Sequence, residues 1–185
     1  MKDLKELLKG LCESKEDLEI LDNLNKNVQN FSEDIVEFED FELEYEKNEE
    51  IIASDKLPKS FAEITNTLTA IFWDAGGPEA GFSINQSGFS DGDDWILAEE
   101  GEAGKEFKKV ANKRPINSFM AGQNALFFDY SRTLSNGEPA LAFVSHEGGG
   151  IVAVKSVNNL NYKQILLRLI SDNMIETSYI TEVYF

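Results

Sequence analysis

Residues 126–157, LFFDYSRTLSNGEPALAFVSHEGGGIVAVKSV, have the clearest structural pattern in the chain. They contain three apolar runs, 126–130, 140–145 and 151–157, separated by two connectors rich in turn-forming residues. Short apolar runs with turn residues between them are typical of consecutive antiparallel strands. The pattern therefore predicts a three-stranded meander, around which we interpret the rest of the chain.

The two connectors contain residues that favour tight turns. Asn136-Gly137 is the commonest dipeptide where two successive residues need a positive φ. Pro139 cannot donate to a strand ladder, so it should begin the next strand or lie on an edge. The second connector contains three successive glycines, 148–150, which cost backbone entropy unless a special conformation requires them.

The chain length of 185 residues fits one folded domain. A chain of this size buries roughly 70% of its unfolded surface and needs neither disulfides nor a metal to fold. Cys12 is the only cysteine, which excludes an intramolecular disulfide and a cysteine metal cluster. Its apolar surroundings in the sequence favour a small packing residue over a reactive thiol. We expect a single domain over residues 1–185, with 1–45 as an acidic N-terminal extension packed on it.

The formal net charge of −17 limits the classes of partner. Such a charge repels nucleic acids and anionic lipids, and it attracts basic partners through a field that salt screens over about 8 Å. The acids are concentrated at one end, because residues 1–57 contain 18 acidic residues against 7 lysines. No apolar window has the length of a signal-peptide core or a membrane span. We expect a cytoplasmic protein that binds neither nucleic acid nor membranes.

Two helices are predicted at the start of the chain. Residues 3–12 place four leucines at helical spacing. Ser14 and Asp17 have the spacing of a capping box for a second helix over residues 15–29. An apolar stripe along this second helix consists of Leu18, Leu21, Leu24 and Val28.

Residues 34–46, DIVEFEDFELEYE, fit both a strand and a helix. Apolar residues alternate with glutamates over 41–46, as in a half-buried strand, while the aromatic residues also fall at helical spacing. The aromatic and β-branched content favours the strand. The apolar residues before Asp40 have the opposite phase, so a strand requires a bulge or break there. As a strand, the segment would be an acidic sheet edge, where charges prevent unwanted pairing.

The rest of the chain alternates between predicted helices and strands. Pro58 suits the first position of a helix whose apolar spacing continues over 59–73, although three threonines in that range favour a strand. Asn161 is a predicted cap for a helix over 162–173. The remaining predictions are strands at 82–85, 95–98 and 175–185 and a short helix at 106–111.

Three patterns suggest chemistry, and none is specific. The string SDGDD at 90–94 offers carboxylates to a hard cation but lacks the spacing of a calcium-binding loop. His146 is the only histidine, and no nucleophile elbow accompanies it. With 34 acids, pairs of carboxylates like those of glycoside hydrolases arise by chance. We therefore expect no enzyme activity, no cofactor and no metal.

Several short motifs resemble the SUKH superfamily, the group with the Smi/Knr-type fold. In chain order they are Leu57-Pro58 at the start of a helix, Gly76-Gly77 after it, then Phe128-Asp129-Tyr130-Ser131, Gly137-Glu138-Pro139 and Val144-Ser145-His146-Glu147-Gly148. The resemblance covers roughly residues 45–172, and it rests on the order of the motifs. Ser145 departs from the family pattern, in which an aspartate often precedes the histidine.

The resemblance implies an α+β fold. We expect a mixed, largely antiparallel sheet with a central meander at about 126–157, flanked by N-terminal, LP-type and C-terminal helices. It also implies an immunity protein that binds and neutralises a cognate bacterial toxin domain, such as a nuclease with a basic active-site surface. The alternative is a regulatory or scaffold module of the same superfamily, which binds a cellular protein or a small ligand without any toxin.

Two sets of candidate residues follow. The partner-binding candidates are acids and one aromatic residue, namely Glu42, Glu44, Glu46, Asp91, Asp93, Asp94, Trp95, Glu99 and Glu100. The motif positions, which we expect to be structural, are Leu57, Pro58, Gly76, Gly77, Asp129, Glu138, Pro139, His146 and Gly148. Among these, Asp129 and His146 are expected to fasten turns and strand ends.

Overall fold

The computed structural model describes residues 4–32, 34–39, 41–47, 58–65, 68–74, 81–84, 105, 117–119, 124–147, 150–157, 159–171 and 180–183. Its helices are α1 (Leu4–Leu8), the 3-10 helix η1 (Lys9–Leu11), α2 (Lys15–Lys26), α3 (Lys59–Thr65) and α4 (Tyr162–Ser171). Its strands are β1 (Asn30–Phe31), β2 (Ile35–Glu37), β3 (Glu42–Lys47), β4 (Leu68–Asp74), β5 (Gly81–Ile84), β6 (Asn117–Phe119), β7 (Asn124–Thr133), β8 (Pro139–Glu147), β9 (Gly150–Val157) and β10 (Ile180–Val183). These elements confirm the α+β class.

The described strands form one sheet whose spatial order follows the chain from β1 to β10. Each pairing between these described neighbours is antiparallel. The longest strands, β7, β8 and β9, pair in sequence, with Phe128 opposite Leu141 and Val144 opposite Val154. The predicted central meander is confirmed, and β5 confirms the strand expected at 82–85.

The β7–β8 connector differs from the predicted turn with two positive φ angles. Gly137 has φ +87°, its N–H donates to the Leu134 carbonyl at 2.9 Å, and the Leu134 N–H donates to the Glu138 carbonyl at 2.8 Å. This is the three-residue hairpin loop, in which a glycine follows a type I turn. The Asn136 side chain accepts from the Glu138 N–H instead of serving as half of a two-residue turn.

The hydrophobic core lies between the helices and one face of the sheet. Leu126 and Phe128 of β7 and Leu141 of β8 share a buried cluster with residues of α1, η1, α2, α3 and α4. At its centre, the Phe61 ring lies edge-on to Phe128, with centroids 5.6 Å apart, and to Tyr162 at 4.9 Å. Since these three rings come from α3, β7 and α4, they join two helices to the meander.

Around residues 127–129 and 140–142, the β7–β8 pair is buried on both of its faces. Phe127 of β7 lies opposite Ala142 of β8, and Asp129 lies opposite Ala140. All four side chains are buried, although alternation directs them away from the helix-covered face. Water is therefore excluded from both faces of this part of the strand pair.

The predicted helix over 59–73 is wrong beyond Thr65. Helix α3 ends there, and residues 68–74 form β4, which pairs with β3 and β5. The threonine-rich sequence explains the change, because β-branched residues lose rotamer freedom in a helix and suit a pleated strand. Apolar spacing alone does not distinguish the two over so short a range.

The segment 34–46 forms two strands, as favoured, with the predicted break between Glu37 and Glu42. Its predicted place at a sheet edge is wrong for β3, which pairs with β2 on one side and with β4 on the other. Charged side chains often protect an edge strand from pairing with another chain. Here the charged residues instead alternate with apolar ones along a strand that is paired on both sides.

Both predicted helix caps are present. The Ser14 side chain accepts from the Asp17 N–H at 3.1 Å, and Asp17 Oδ2 accepts from the Ser14 N–H at 2.9 Å. Asn161 and Gln164 form the same reciprocal pair at the start of α4. The apolar stripe predicted for α2 includes Leu18 wrongly, because its side chain is 47% exposed.

None of the helices among the described residues is long and apolar enough to cross a bilayer. The division into a single domain with an N-terminal extension stays a prediction. Residues 95–98 and 106–111, where a strand and a helix are expected, lie outside the described residues.

Candidate functional site

Exposed glutamates line one face of the β2–β3 hairpin. In β3, Leu43 and Tyr45 are buried in the core, while Glu42 and Glu44, which alternate with them, are exposed. Strand alternation causes this separation, because successive side chains point to opposite faces. Glu37 of β2 is half-buried and lies directly opposite Glu42, so its side chain is on the same face of the hairpin. We call Glu37, Glu42 and Glu44 the acidic row.

The acidic row continues in register toward β4. Asp74 is the partner of Glu42, and Phe72 is the partner of Glu44. Like charges directly opposite each other destabilise a strand pair, so the arrangement has an electrostatic cost in the isolated protein. Glu46 belongs to β3 opposite Ala70, but its side chain lies outside the described part.

An aromatic pair holds the hairpin that presents the acidic row. Phe38 and Phe41 stack with centroids 4.2 Å apart and an interplanar angle of 13°. The Phe38 N–H donates to the Phe41 carbonyl at 2.8 Å, which closes the turn between β2 and β3. The opposite phase seen in the sequence before Asp40 arises because the chain reverses at this turn.

Several predicted positions cannot be placed. The loop candidates Asp91, Asp93, Asp94, Trp95, Glu99 and Glu100 and the motif residues Leu57, Gly76, Gly77 and Gly148 lie outside the described residues. His146 is described only by its backbone, in β8 opposite Ile151. Pro139 begins β8, as its missing N–H requires, and the Pro58 carbonyl accepts from the Ala62 N–H in the first turn of α3.

Two motif segments distant in sequence meet at Glu138. Its Oε1 accepts from the backbone N–H of Ser60 at 2.6 Å, while its Oε2 accepts from the Asn136 side chain. A carboxylate at this place satisfies a donor that the first turn of a helix leaves unpaired. The β7–β8 connector thereby fixes the start of α3, and no local sequence pattern indicates this contact.

Asp129 fastens an irregularity in β7. The register between β7 and β8 shifts between Asp129 and Thr133, which interrupts the ladder. Asp129 is fully buried, and its carboxylate accepts from the Ser131 N–H at 3.0 Å and from Arg132 Nε at 2.8 Å. Arg132 Nη2 also donates to the Leu141 carbonyl at 3.1 Å, which ties β7 to β8. The contacts tie the irregular part of β7 to β8, and the role of Asp129 as a fastener stays a prediction.

A charged junction joins the N-terminal helices to α4. Asp17 is fully buried at the start of α2, where Arg168 Nη1 donates to its Oδ1 at 2.8 Å and Gln164 Nε2 donates to its Oδ2 at 3.0 Å. Glu16 lies 3.3 Å from Arg168 Nη2. The sequence identifies Asp17 as a cap, but it gives no sign of partners about 150 residues away.

A second cation on α4 extends this junction to α3. Lys163, a buried residue, donates to Glu63 and lies 3.3 Å from Glu13 Oε1. Glu13 also accepts from the Asn161 side chain. Helices α2, α3 and α4 therefore meet around two cations of α4, Lys163 and Arg168.

The junction shifts the pKa values of Asp17, Glu63 and Lys163. Burial alone would raise the pKa of Asp17, but hydrogen bonds from Arg168, Gln164 and the capping turn hold it below its ordinary value. The hydrogen bond from Lys163 lowers the pKa of Glu63. Burial works against charge on Lys163, yet Glu63 and Glu13 raise its pKa. These pKa shifts keep Asp17, Glu63 and Lys163 charged at neutral pH.

The stability of the protein is expected to fall when the pH drops through about 4. Because the folded-state pKa of Asp17 is lowered, its contribution is complete above the unfolded-state value near 3.9 and is lost as the pH falls toward the folded value. Urea unfolding between about pH 6 and pH 3 measures this slope. Asp17→Asn should flatten it, and an unchanged slope in that variant would contradict the assignment.

Cys12 is a half-buried free cysteine. Burial raises the pKa of the Cys12 thiol, and the nearby charges of Asp17 and Asp22 raise it further. A protonated, half-buried thiol is a poor nucleophile, in agreement with a packing role.

Among the described residues, no group of three or more histidine, cysteine or acidic side chains is arranged to hold a metal ion.

Comparisons with protein-family models, with curated proteins and with solved structures find no match. The resemblance to the SUKH superfamily therefore stays a prediction from the motifs. The described geometry brings together the acids of the β2–β3 hairpin, and it separately connects Glu138 with α3 and Asp129 with Arg132.

Proposed function

We propose that this chain is an immunity protein that binds a cognate bacterial toxin domain through an acidic surface and neutralises it. The acidic row is the observation that supports this proposal most directly. Glu42 and Glu44 are exposed on a strand that is paired on both sides, and neither forms an ion pair within the part of the chain that the structure describes. Their charge is therefore available to a partner.

The distribution of cations also supports an acidic binding surface. In α4, the basic residues Lys163 and Arg168 are buried against acids of the helix junction. Two cations are thus used internally in a chain whose formal net charge is −17. Because these two cations are buried, they do not offset the acidic side chains at the surface. An acidic surface favours rapid association with a basic partner.

The expected mechanism is occlusion. A nuclease-type toxin receives phosphates in a basic cleft, and carboxylates spaced along β3 could occupy the positions of those phosphates. Like charges that repel one another in the free protein would be neutralised by arginine or lysine in the complex. The motif order and the Glu138–Ser60 contact are further support for a SUKH-type fold.

The test uses the toxin domain encoded next to this chain's own gene. Glu42→Lys/Glu44→Lys is expected to slow association at least about tenfold at low salt and to abolish protection in co-expression, because attraction becomes repulsion. Stopped-flow mixing measures the association rate, and cell survival measures protection. The rate for the unmodified protein should fall steeply with added salt.

A matched control separates the position of the charge from its amount. Glu19→Lys/Asp22→Lys changes the net charge equally, on side chains of α2 that are 66% and 55% exposed. This control should reduce association only slightly. Equal losses in both double variants, or no complex with the neighbouring gene product, would refute the proposal. Recovery of a housekeeping protein from the native host would favour the regulatory alternative.

A further inference from the structure

The N-terminal segment, defined as residues 4–32 and 34–37, meets the rest of the described chain along two borders. Along the first, leucines of α1, η1 and α2 share the core cluster with α3, α4 and residues of β3, β7 and β8. Along the second, the three-residue strand β2 pairs with β3. By contrast, β3 itself is paired along its whole length with β4. The segment thus has a short strand border and a broad helical one.

The helical border is closed by a buried ionic contact. Within its own turn, Asp17 accepts from the N–H groups of Glu13 at 3.1 Å and Ser14 at 2.9 Å. Across the border, it accepts from Gln164 and from Arg168, whose side chain is 9% exposed. One carboxylate therefore caps α2 and attaches it to α4.

The elements of the N-terminal segment are also connected to one another. Strand β1 follows α2 after three residues, and the Gln29 N–H donates to the Glu37 carbonyl at 2.8 Å. Asn30 and Phe31 of β1 pair with Glu37 and Val36 of β2. A displacement of α2 is therefore transmitted to β1 and β2 through backbone hydrogen bonds.

We propose that the N-terminal segment docks and undocks as one cooperative unit, and that the Asp17–Arg168 contact is the latch that sets its docked population. Proteins open locally in contiguous cooperative units, and the N-terminal segment is such a unit because hydrogen bonds connect α2, β1 and β2. Removal of one partner from a buried ion pair leaves the other charge poorly compensated, which penalises only the docked state. The latch therefore acts on the docking equilibrium.

Undocking would change the acidic row. Glu37 belongs to β2 and moves with the segment, whereas Glu42 and Glu44 belong to β3 and stay with β4. The latch would consequently determine whether the exposed face presents two strands of acids or one. The inference does not depend on a toxin partner, because it concerns the free protein.

Amide hydrogen exchange of the full chain, followed by mass spectrometry at neutral pH, tests the proposal. Arg168→Met retains much of the apolar stem but removes the charge. Exchange is expected to accelerate about tenfold or more in peptides covering 15–37, with residues 126–142 unchanged. A uniform acceleration in both regions, or none in 15–37, would overturn the proposal.

Arg132→Met is the matched control, because Arg132 also pairs with a fully buried aspartate at 2.8 Å. Its effect should appear in 126–142 and spare 15–37. If Arg168→Met yields no folded protein, Arg168→Lys decides, since it keeps the charge and loses the planar fork. A smaller acceleration confined to 15–37 would support the latch, and a uniform or absent effect would refute it.

Discussion

Replacement of Phe61 by alanine is expected to lower the free energy of unfolding by about 3–5 kcal/mol. The ring is fully buried and contacts Phe128 of β7 and Tyr162 of α4. Truncation removes the favourable burial of the ring and leaves a cavity between elements from three parts of the chain. The site cannot collapse without moving a helix relative to the meander. Urea unfolding followed by circular dichroism measures the loss.

A peripheral aromatic residue provides the control for this substitution. Phe31 is half-buried at the short strand β1, where its centroid lies 6.3 Å from that of Tyr45. Phe31→Ala should cost about 1–2 kcal/mol, because solvent can fill the space that the ring leaves. If the two variants lost the same stability, the ring cluster of Phe61, Phe128 and Tyr162 would not be the centre of the core.

Asp129→Ala is expected to lower the free energy of unfolding by about 2–3 kcal/mol. The substitution removes the acceptor for the Ser131 N–H at the interrupted part of the β7 ladder. It also removes the carboxylate that orients Arg132 toward the Leu141 carbonyl. Both changes loosen the joint between β7 and β8. Urea unfolding gives the total, and hydrogen exchange at 126–142 locates it.

The same variant distinguishes a structural role from a binding role for the motif aspartate. If Asp129 is structural, the folded fraction of Asp129→Ala should bind a partner as tightly as the unmodified protein does. Asp129→Asn retains an oxygen acceptor for Ser131 and should recover part of the stability. Unchanged stability together with lost binding would show that Asp129 belongs to a binding site.

Local features of this fold were predictable because each depends on residues close in sequence. The meander follows from three apolar runs and two turns, and the capping boxes at Ser14 and Asn161 follow from a spacing of three residues. The break between β2 and β3 follows from the phase change before Asp40. In each case one physical constraint acts within a few residues.

Long-range features were not predictable, because each depends on residues that are far apart in sequence. The end of α3 at Thr65 depends on β4 finding two partner strands, and tertiary pairing overrides helical spacing there. Similarly, β3 is an interior strand because β2 folds back on it. The contact between Ser60 and Glu138 and that between Asp17 and Arg168 join residues that no local pattern connects.

The candidate site was predicted in part. Alternation in the sequence correctly places Glu42 and Glu44 on an exposed face, because strand period alone determines it. Glu37 was missed, since its membership of the row depends on the pairing of β2 with β3. Charge composition indicates the kind of partner, but it does not specify which acids share a surface.

The strand order has a consequence for how the chain folds. Since each described strand pairs with the next described strand in sequence, sheet contacts join segments much closer in the chain than the two ends of the helix junction. The helix junction is different, because Asp17 and Arg168 are 151 positions apart and their closure costs more chain entropy. We infer that the meander belongs to the folding transition state and that helix docking follows it. Weakening the junction should then hasten unfolding more than it slows refolding.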